Sequence, residues 1–345
     1  MSSGLVIKNT GNIYDVLDER GALWHCKVRG NFRLKGLRTT NPVAVGDRVK
    51  FEVSASEATQ SKADNFNWIT AVAPRKNCLL RKSVNLSKQT HIIAANIDLA
   101  IVVASVAEPR TPQGFIDRTL ISCEAYDVPA VVVFNKIDLC EHYAKTPVDT
   151  GSTVSPITDS KETCKTNLST NMEMYRTAGY KILLTSAVTG YGIDELKKVI
   201  SGKTVLFTGN SGVGKSALIN MIDPTLNLKI GEISTFNEKG KHTTTFAQMF
   251  PIDSGGFLID TPGIKEFGMI KINTEELSQY FPEMERIREQ CAYSNCTHTH
   301  EPHCAIKETV KAGKIHPQRY QSYLNILSGD EIPEPSLLEN RNESK

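Results

Sequence analysis

The sequence predicts a multidomain α/β protein that joins an N-terminal β-barrel, a doubly wound parallel-sheet domain and a C-terminal α-helical zinc-binding module. Three observations carry this prediction. Short strand-like runs without a helix open the chain, a glycine-rich loop follows a buried strand in the centre, and a cysteine and histidine cluster lies near the end. The predicted boundaries are 1–73, 74–280 and 281–328, and an acidic tail over 329–345 is expected to be disordered.

The N-terminal segment consists of short apolar runs separated by turns. Five runs are typical of strands: GLVIKN, NIYDVLD, ALWHCKV, GDRVKFEV and NWITAV. Five strands without a helix favour a small barrel, and an OB-fold is the leading candidate.

Basic residues are concentrated in the middle of this barrel segment. They are Lys27, Arg29, Arg33, Lys35, Arg38, Arg48 and Lys50, with Asp47 as the one acid among them and with Trp24, Phe32 and Phe51 among or near them. Basic side chains beside aromatic rings suit single-stranded or looped RNA. The alternative is a solvated barrel face with aromatic residues in the core, and we favour RNA contact.

The central domain begins with PRKNCLLRK, residues 74–82, which is predicted to be a basic linker. Buried-strand runs and amphipathic helices then alternate, namely IDLAIVVAS, FIDRTLISCEAY, PAVVVF, KILL, KTVLFTG, ALINMI and GFLID. This alternation predicts a doubly wound parallel sheet. Residues 144–170 are rich in Ser, Thr and Asp, and we expect them to form a mobile surface insertion.

A phosphate-binding loop reads GNSGVGKS at residues 209–216. Its glycines let backbone N–H groups point at phosphate oxygens, and the following helix N-terminus adds positive potential. Lys215 is expected to reach the β- and γ-phosphates, and the Ser216 hydroxyl is expected to ligate Mg²⁺. The residues predicted to bind nucleotide here are Gly209, Asn210, Ser211, Gly212, Val213, Gly214, Lys215, Ser216 and Ala217.

Two further segments suit the γ-phosphate and its metal. In DTPG, Asp260 ends a strand and is expected to hold Mg²⁺ through water, while Gly263 offers its N–H to the γ-phosphate. The segment KGKHTTT lies where a switch loop is expected, and we assign Thr244 as the metal-sensing residue. The neighbours Thr243 and Thr245 are equally available, and the plain alternative for all three is an edge strand.

The motif NKID follows the apolar run PAVVVF and is predicted to select guanine. Asp138 would accept hydrogen bonds from guanine N1 and the exocyclic amine, Asn135 would meet the other polar edge, and the Lys136 stem would pack on the ring. Adenine lacks those donors, so the carboxylate favours GTP over ATP. The segment TSA, with Ser186 and Ala187, suits a further contact to the guanine.

The order of these motifs is inverted, because NKID precedes the phosphate loop whereas an ordinary GTPase has the loop first. A parallel sheet tolerates new termini, since the cut falls in a surface loop and the packing is unchanged. The inverted order therefore predicts a circularly permuted P-loop GTPase.

Hydrolysis needs an in-line water, and many GTPases orient it with a glutamine just after DxxG. Ile264 occupies that position and cannot orient water, so we expect the free enzyme to be slow. His242 is the internal candidate for this role, and a loop histidine that contacts RNA or nothing is an equal alternative.

A metal site is predicted near the end of the chain. Three thiols and an imidazole, from Cys291, Cys296, His298 and Cys304, are suitable ligands for one structural, tetrahedral zinc. His300 and His303 compete with His298 as the nitrogen ligand. The segment that follows, AIKETVKAGKIHPQRYQSYLNIL, is typical of a helical hairpin.

Composition adds limits on location. The chain has 345 residues, 40% of them hydrophobic, with a net charge of +2, which suits two or three domains with real cores. We find no signal-peptide pattern and no apolar run long enough to span a bilayer. The eight cysteines indicate a reducing cytoplasm and no disulfides.

The ordered set of motifs resembles the ribosome small subunit-dependent GTPase A family (RsgA, also called YjeQ). PRKN, AANID, FIDR, NKIDL, GNSGVGKSALIN, GKHTTT, DTPGI and CxxxxCxHxxxxxC carry the resemblance, which covers nearly the whole chain. It implies an OB-fold, a permuted GTPase and a zinc module. Potassium-activated GTPases carry an asparagine at the position of Gly212, so the resemblance leaves dependence on K⁺ open.

The resemblance also implies an activity and partners. It implies GTP hydrolysis to GDP and phosphate with Mg²⁺, stimulated by the 30S ribosomal subunit in a late step of its assembly, with 16S rRNA and other assembly factors as partners. We expect a cytoplasmic monomer without a membrane partner. Two other functions remain open: an RNA-binding scaffold in which GTP acts only as a switch, and a translation-factor GTPase.

Overall fold

The computed structural model describes residues 2–28, 42–53, 66–82, 90–142, 161–227, 247–260 and 275–329. In those ranges the strands form one sheet of 11 strands and a second sheet of two. The larger sheet continues from the central domain into the N-terminal barrel through the pairing of Lys8 with Gln248. None of the helices in the described ranges is both long and apolar enough to cross a membrane.

Five strands close into a barrel at the N-terminus, as the strand-only pattern predicted. They are Ser2–Thr10 (β1), Ile13–Asp18 (β2), Leu23–Val28 (β3), Arg48–Glu52 (β4) and Asn67–Val72 (β5). The spatial order is β1-β2-β3-β5-β4, and β4 pairs back with β1. Alternate side chains point inward, where Val6, Val16, Phe51 and Ile69 form the core.

The segment predicted as a basic linker contains a strand, which corrects that prediction. Cys78–Lys82 (β6) pairs antiparallel with Thr90–Ala95 (β7). Leu79 and Ala94 are buried in a core that they share with Val45 of the barrel segment. Burial of apolar side chains therefore decided this strand, despite the basic residues around it.

Arg75 fixes the connection to the barrel. Its guanidinium donates to both carboxylate oxygens of Asp47 at 2.7 Å and to the Pro42 carbonyl at 2.8 Å. The Asp47 side chain is fully buried. The backbone also approaches closely here, because a Cβ at Gly46 would lie 2.0 Å from the Ala95 carbonyl oxygen. A bidentate pair and a glycine contact thus set the orientation of the barrel.

Six strands form the sheet of the central domain. They are Leu99–Ser105 (β8), Ala130–Asn135 (β9), Lys181–Leu184 (β10), Lys203–Thr208 (β11), Gln248–Pro251 (β12) and Gly256–Asp260 (β13). The spatial order is β10-β9-β8-β11-β13-β12, and all neighbours are parallel except β12 and β13. β11, which leads into the phosphate loop, lies inside the sheet beside β8, the first of these strands in the chain. The strand that leads into the phosphate loop thus comes after β8 in the chain, whereas in an ordinary GTPase the phosphate loop comes first.

Helices cover both faces of the sheet. They are Gln113–Ala125 (α1), Ile137–His142 (α2), Lys161–Ala178 (α3), Ile193–Ile200 (α4) and Lys215–Ile222 (α5). Val103 of β8 packs in a core with Leu196 and Leu218, whereas its neighbour Val102 packs in a different core with Leu120. Successive side chains of a strand point to opposite faces, so α4 and α5 lie on one side and α1 on the other.

The prediction of a mobile insertion over 144–170 is wrong from Lys161 onward, because these residues belong to α3. Residues 143–160 lie outside the described residues. Cys164 of α3 is buried and is disulfide-bonded to Cys140 of α2, with their Cα atoms 5.6 Å apart. The prediction of no disulfides is therefore wrong as well. The number of cysteines and the expected compartment could not reveal this bond, because it depends on α2 and α3 packing together.

The C-terminal module packs on α1. Its helices are Pro282–Glu285 (α6), Ala305–Lys311 (α7) and Pro317–Ser328 (α8), so the predicted helical hairpin is present. Phe281, Ile306 and Tyr323 form its core together with Ile121 of α1. The module and the central domain thus share one hydrophobic interface.

A buried ionic network crosses this interface. Arg319 of α8 donates to Asp117 of α1 at 2.6 Å and to Glu283 of α6 at 2.6 and 3.2 Å. Tyr175 of α3 donates its hydroxyl to the same Asp117 oxygen at 3.0 Å, and the Arg319 guanidinium lies 4.6 Å from the Phe281 ring centroid. Burial alone lowers the pKa of Arg319, but the two carboxylates outweigh it and raise the pKa well above its usual value. Arg319 is therefore charged in the interior.

Candidate nucleotide site and metal centre

The phosphate loop connects β11 to α5 through backbone that only glycine adopts readily. The φ angles are 150° at Gly209, 79° at Gly212 and 94° at Gly214. A Cβ at Gly209 would lie 2.3 Å from the Val103 carbonyl oxygen, and one at Gly214 would lie 2.3 Å from Asn135 Nδ2. The glycines that the motif requires are thus also required by the packing of this loop.

Lys215 and Ser216 stand at the start of α5. Lys215 Nζ donates to the carbonyl oxygens of Gly209 and Asn210 at 2.6 and 2.7 Å, which places the ammonium group within the curve of the loop. Ser216 is buried, and the first turn of α5 carries no acidic residue. Positive potential at this helix end is therefore not offset by its own side chains.

The guanine motif lies at the junction of β9 and α2. Asp138 is buried and accepts a hydrogen bond from Ser186 Oγ. The Ser186 hydroxyl in turn accepts from Thr189 N at 3.1 Å, while Ala187 is partly buried beside it. The structure therefore brings the predicted residues of NKID and TSA together and fixes the Asp138 carboxylate.

The phosphate loop and the guanine motif touch directly. Asn135 Nδ2 donates to the Val213 carbonyl at 2.9 Å, and Asn135 Oδ1 accepts from Thr185 Oγ1 at 3.1 Å. These contacts join segments 78 and 50 residues apart in the chain. Because Asn135 spans the two loops, it couples the position of the phosphates to that of the base.

Residues that follow β8 support both loops, although no motif in the sequence predicted a role for them. Lys136 Nζ donates to the Glu108 carbonyl. A Cβ at Gly212 would lie 3.2 Å from Pro109 Cδ, so the proline rests against the phosphate loop. Sequence reasoning could not recognise these contacts, since they depend on β8 and β9 being adjacent.

Several predicted switch residues lie outside the described residues. They are His242, Thr243, Thr244, Thr245, Gly263 and Ile264. The backbone of Asp260 ends β13, which pairs in parallel with β11. Asp260 thus lies on the same edge of the sheet as the phosphate loop, and its assignment to Mg²⁺ stays a prediction.

The metal centre gathers Cys291, Cys296, His298 and Cys304, whose ligand atoms all lie within 4.8 Å of one another. His298 Nδ1 is 3.6 Å from Cys291 Sγ and 3.5 Å from Cys304 Sγ, and those two sulfurs are 3.9 Å apart. Tetrahedral zinc with bonds of about 2.0–2.3 Å separates its ligand atoms by roughly 3.5–3.8 Å. The donor set therefore fits zinc.

The protonation of these groups suits metal binding. Burial lowers the pKa of His298, so its imidazole is neutral near pH 7, which is the form that ligates a metal. Burial raises the pKa of Cys304 and raises the pKa of Cys296 to about 12. A cation is needed to hold these sulfurs as thiolates, and binding therefore releases protons.

The structure chooses His298 among the three candidate histidines. His300 Nδ1 instead contacts Thr299 Oγ1 at 2.9 Å, and neither His300 nor His303 belongs to the cluster. The carbonyl of His298 accepts a hydrogen bond from the Tyr320 hydroxyl at 2.6 Å. This contact from α8 holds the backbone of the loop at His298.

Two family models match the chain. The model described as RsgA GTPase matches residues 72–270, and the model described as RsgA N-terminal domain matches residues 3–59. A Bacteroides thetaiotaomicron protein called small ribosomal subunit biogenesis GTPase RsgA 2 is 46% identical over 328 residues, 95% of this chain and 97% of that protein. A Bacteroides fragilis protein called small ribosomal subunit biogenesis GTPase RsgA is 44% identical over 332 residues, with the same two coverages.

Two solved structures share the architecture. YjeQ from Thermotoga maritima superposes with a TM-score of 0.69 and 32% identity, over 96% of this chain and 99% of that one. YloQ, described as a circularly permuted GTPase, gives a TM-score of 0.66 and 27% identity, over 97% and 96%. The architecture of this chain is therefore shared with a protein that is itself described as a circularly permuted GTPase.

Proposed function

The chain belongs to the RsgA GTPase family, and we propose on this premise that it hydrolyses GTP to GDP and phosphate as a biogenesis factor of the small ribosomal subunit. The observation that carries the proposal is the hydrogen bond from Asn135 to Val213, which joins a guanine-reading motif to a phosphate loop. The names of its relatives support the ribosomal role. We place its action on the 30S subunit at a late step of assembly, in the cytoplasm, and as a monomer.

Each predicted group has a task in this reaction. Lys215 binds the β- and γ-phosphates, Ser216 holds Mg²⁺, and Asp138 selects the base. Mg²⁺, when bound, neutralises charge on the phosphate oxygens. With Ile264 after DTPG, water is oriented by a group other than glutamine, and docking on the 30S subunit is proposed to complete the site.

Contact with 16S rRNA is proposed for the barrel. Arg48 and Lys50 of β4 are exposed, while Asp47, which precedes them in the chain, is buried and paired with Arg75. The basic charge on this face is therefore not offset by Asp47. Phe51 is fully buried in the barrel core, so its ring packs against other core side chains and cannot stack on an RNA base.

Replacing Ser216 with alanine is expected to reduce 30S-stimulated GTP turnover at least about 100-fold, because the hydroxyl that would hold Mg²⁺ is lost. Phosphate release is measured with and without purified 30S subunits, and other assembly factors are left out. Ser201→Ala, at an exposed position after α4, serves as the control and is expected to keep wild-type turnover.

Two outcomes of this assay would favour the other functions. A wild-type protein that binds 30S subunits without any stimulated turnover would be a scaffold with a GTP switch. Preferential stimulation by mature 70S ribosomes would indicate a translation factor.

Replacing Asp138 with asparagine is expected to change the base preference of the site from guanine to xanthine. The carboxylate accepts two hydrogen bonds from guanine, and charge-assisted bonds are each worth about 1.5–3 kcal/mol, so GDP affinity should fall about 100-fold or more. Xanthine carries a carbonyl in place of the amine, and a carboxamide can donate to it. Nucleotide affinities are measured by calorimetry.

The control for this exchange is Asp194→Asn on the exposed side of α4, which should leave both affinities unchanged. Unaltered GDP affinity in the Asp138 variant would show that another group reads the base.

A further inference from the structure

The guanine motif is covalently tethered to a neighbouring helix. Cys140 lies in α2, two residues after Asp138, and its sulfur is bonded to that of Cys164 in α3. Both cysteines are buried, with 3% and 5% of their surface exposed. Their Cα separation of 5.6 Å is ordinary for a disulfide. The two helices therefore bring the thiols to bonding distance in their native packing.

The tether acts on a short element. α2 has six residues and begins within the guanine motif, at Ile137, and Leu139 N donates to the Lys136 carbonyl at this end of the helix. Asp138, in the first turn of α2, accepts a hydrogen bond from Ser186 Oγ. Because so short a helix has few hydrogen bonds of its own, its position depends on what it packs against.

The other end of the tether is firmly placed. α3 has 18 residues, and its last turns bury Met174, Tyr175 and Ala178 against the sheet. The Tyr175 hydroxyl donates to Asp117 of the buried ionic network. A bond from Cys140 to α3 therefore restrains the guanine motif relative to the core of the domain.

The remaining six cysteines do not offer the same chemistry. Cys291, Cys296 and Cys304 belong to the metal centre, and Cys26, Cys78 and Cys123 are free thiols that form no disulfide. Disulfides in a reducing compartment are usually reversible or redox-sensing. Because we place this protein in the cytoplasm, we expect the disulfide between Cys140 and Cys164 to form and break reversibly.

We propose that Cys140 and Cys164 form a thiol–disulfide exchange site for low-molecular-weight disulfides of the glutathione type, and that oxidation of the pair slows release of guanine nucleotide. The two thiols give up two electrons and two protons and form one S–S bond. The small disulfide accepts both and leaves as two thiols. The inference rests on the guanine-binding role proposed above for Asp138.

By thermodynamic linkage, the disulfide and the bound nucleotide affect each other equally. If the disulfide strengthens nucleotide binding by some factor, bound nucleotide favours the disulfide by the same factor. Couplings between sites typically lie at about 5-fold or more, so we expect GDP to dissociate at least about 5-fold more slowly from the oxidised protein.

The test compares dissociation of fluorescently labelled GDP from zinc-loaded, full-length protein equilibrated in oxidised or reduced glutathione. Peptide mass spectrometry without reduction identifies the bonded cysteines. The matched control is the double variant Cys140→Ser, Cys164→Ser, which keeps the metal-binding cysteines. It is expected to release GDP at the rate of the reduced wild type in both buffers, with unchanged zinc content and circular dichroism.

Three results would overturn the inference: no peptide that joins Cys140 to Cys164 after oxidation, equal GDP release in both buffers, or a redox response that persists in the double variant. Absence of GDP binding in both redox states would overturn the guanine site as well. GDP binding that is merely independent of redox state overturns the exchange site alone.

Discussion

Replacing Arg319 with leucine is expected to lower the free energy of unfolding by about 3–5 kcal/mol, because the buried carboxylates of Asp117 and Glu283 lose their shared cation. A loss of this size lowers the unfolding midpoint by roughly 10 °C in a protein domain of 150–250 residues. Thermal unfolding of the zinc-loaded protein, followed by circular dichroism, measures the shift.

A surface pair provides the control for this variant. Lys181 and Glu195 are 3.6 Å apart and both mostly exposed, so Lys181→Met should cost less than about 1 kcal/mol. Adding Asp117→Asn and Glu283→Gln to Arg319→Leu should recover part of the loss, since carboxamides are neutral. A midpoint for Arg319→Leu equal to that of Lys181→Met would show that the network does not support the interface.

The network has a consequence for how the domains act together. Asp117 belongs to the GTPase helix α1, whereas Glu283 and Arg319 belong to the C-terminal module. Burying charged groups is costly unless all are paired, so the module cannot shift on α1 without breaking the pairs. We therefore expect the module and α1 to move as one unit during the nucleotide cycle.

Replacing Cys304 with serine is expected to remove bound zinc and to unfold the loop over 291–304. Structural zinc contributes about 10–16 kcal/mol of apparent binding free energy in zinc-finger peptides, and most of this is lost with one thiolate ligand. The tyrosines of α8 report on the loop, since Tyr320 and Tyr323 donate to the carbonyls of His298 and Thr297. Zinc content by atomic emission and near-ultraviolet circular dichroism measure both effects.

His300→Ala separates zinc loss from general damage to this loop. His300 lies between the ligands but outside the cluster, so its loss should leave one zinc per chain and an unchanged tyrosine signal. Full zinc content in the Cys304 variant, or zinc loss in the His300 variant, would contradict the assignment of the ligands.

Local patterns were enough where function depends on neighbours in the chain. The loop GNSGVGKS is found as expected between β11 and α5, at the carboxyl end of the strand, because the glycine conformations and the helix start are set within a few residues. The barrel strands were equally readable, since their apolar residues alternate with the pleat. Low apolar content misled at α3, because a few buried side chains such as Cys164 and Tyr175 suffice to hold a helix.

The type and order of the chemistry are written in the sequence: a phosphate loop after a guanine motif, then three thiols and an imidazole. Which residues become partners depends on the folded structure. It selected His298 over His300, paired Arg75 with Asp47 and Arg319 with Asp117, and bonded Cys140 to Cys164. The physical reason is that these contacts join residues far apart in the chain, so they depend on how strands and helices pack and leave no periodic trace in either partner's own segment.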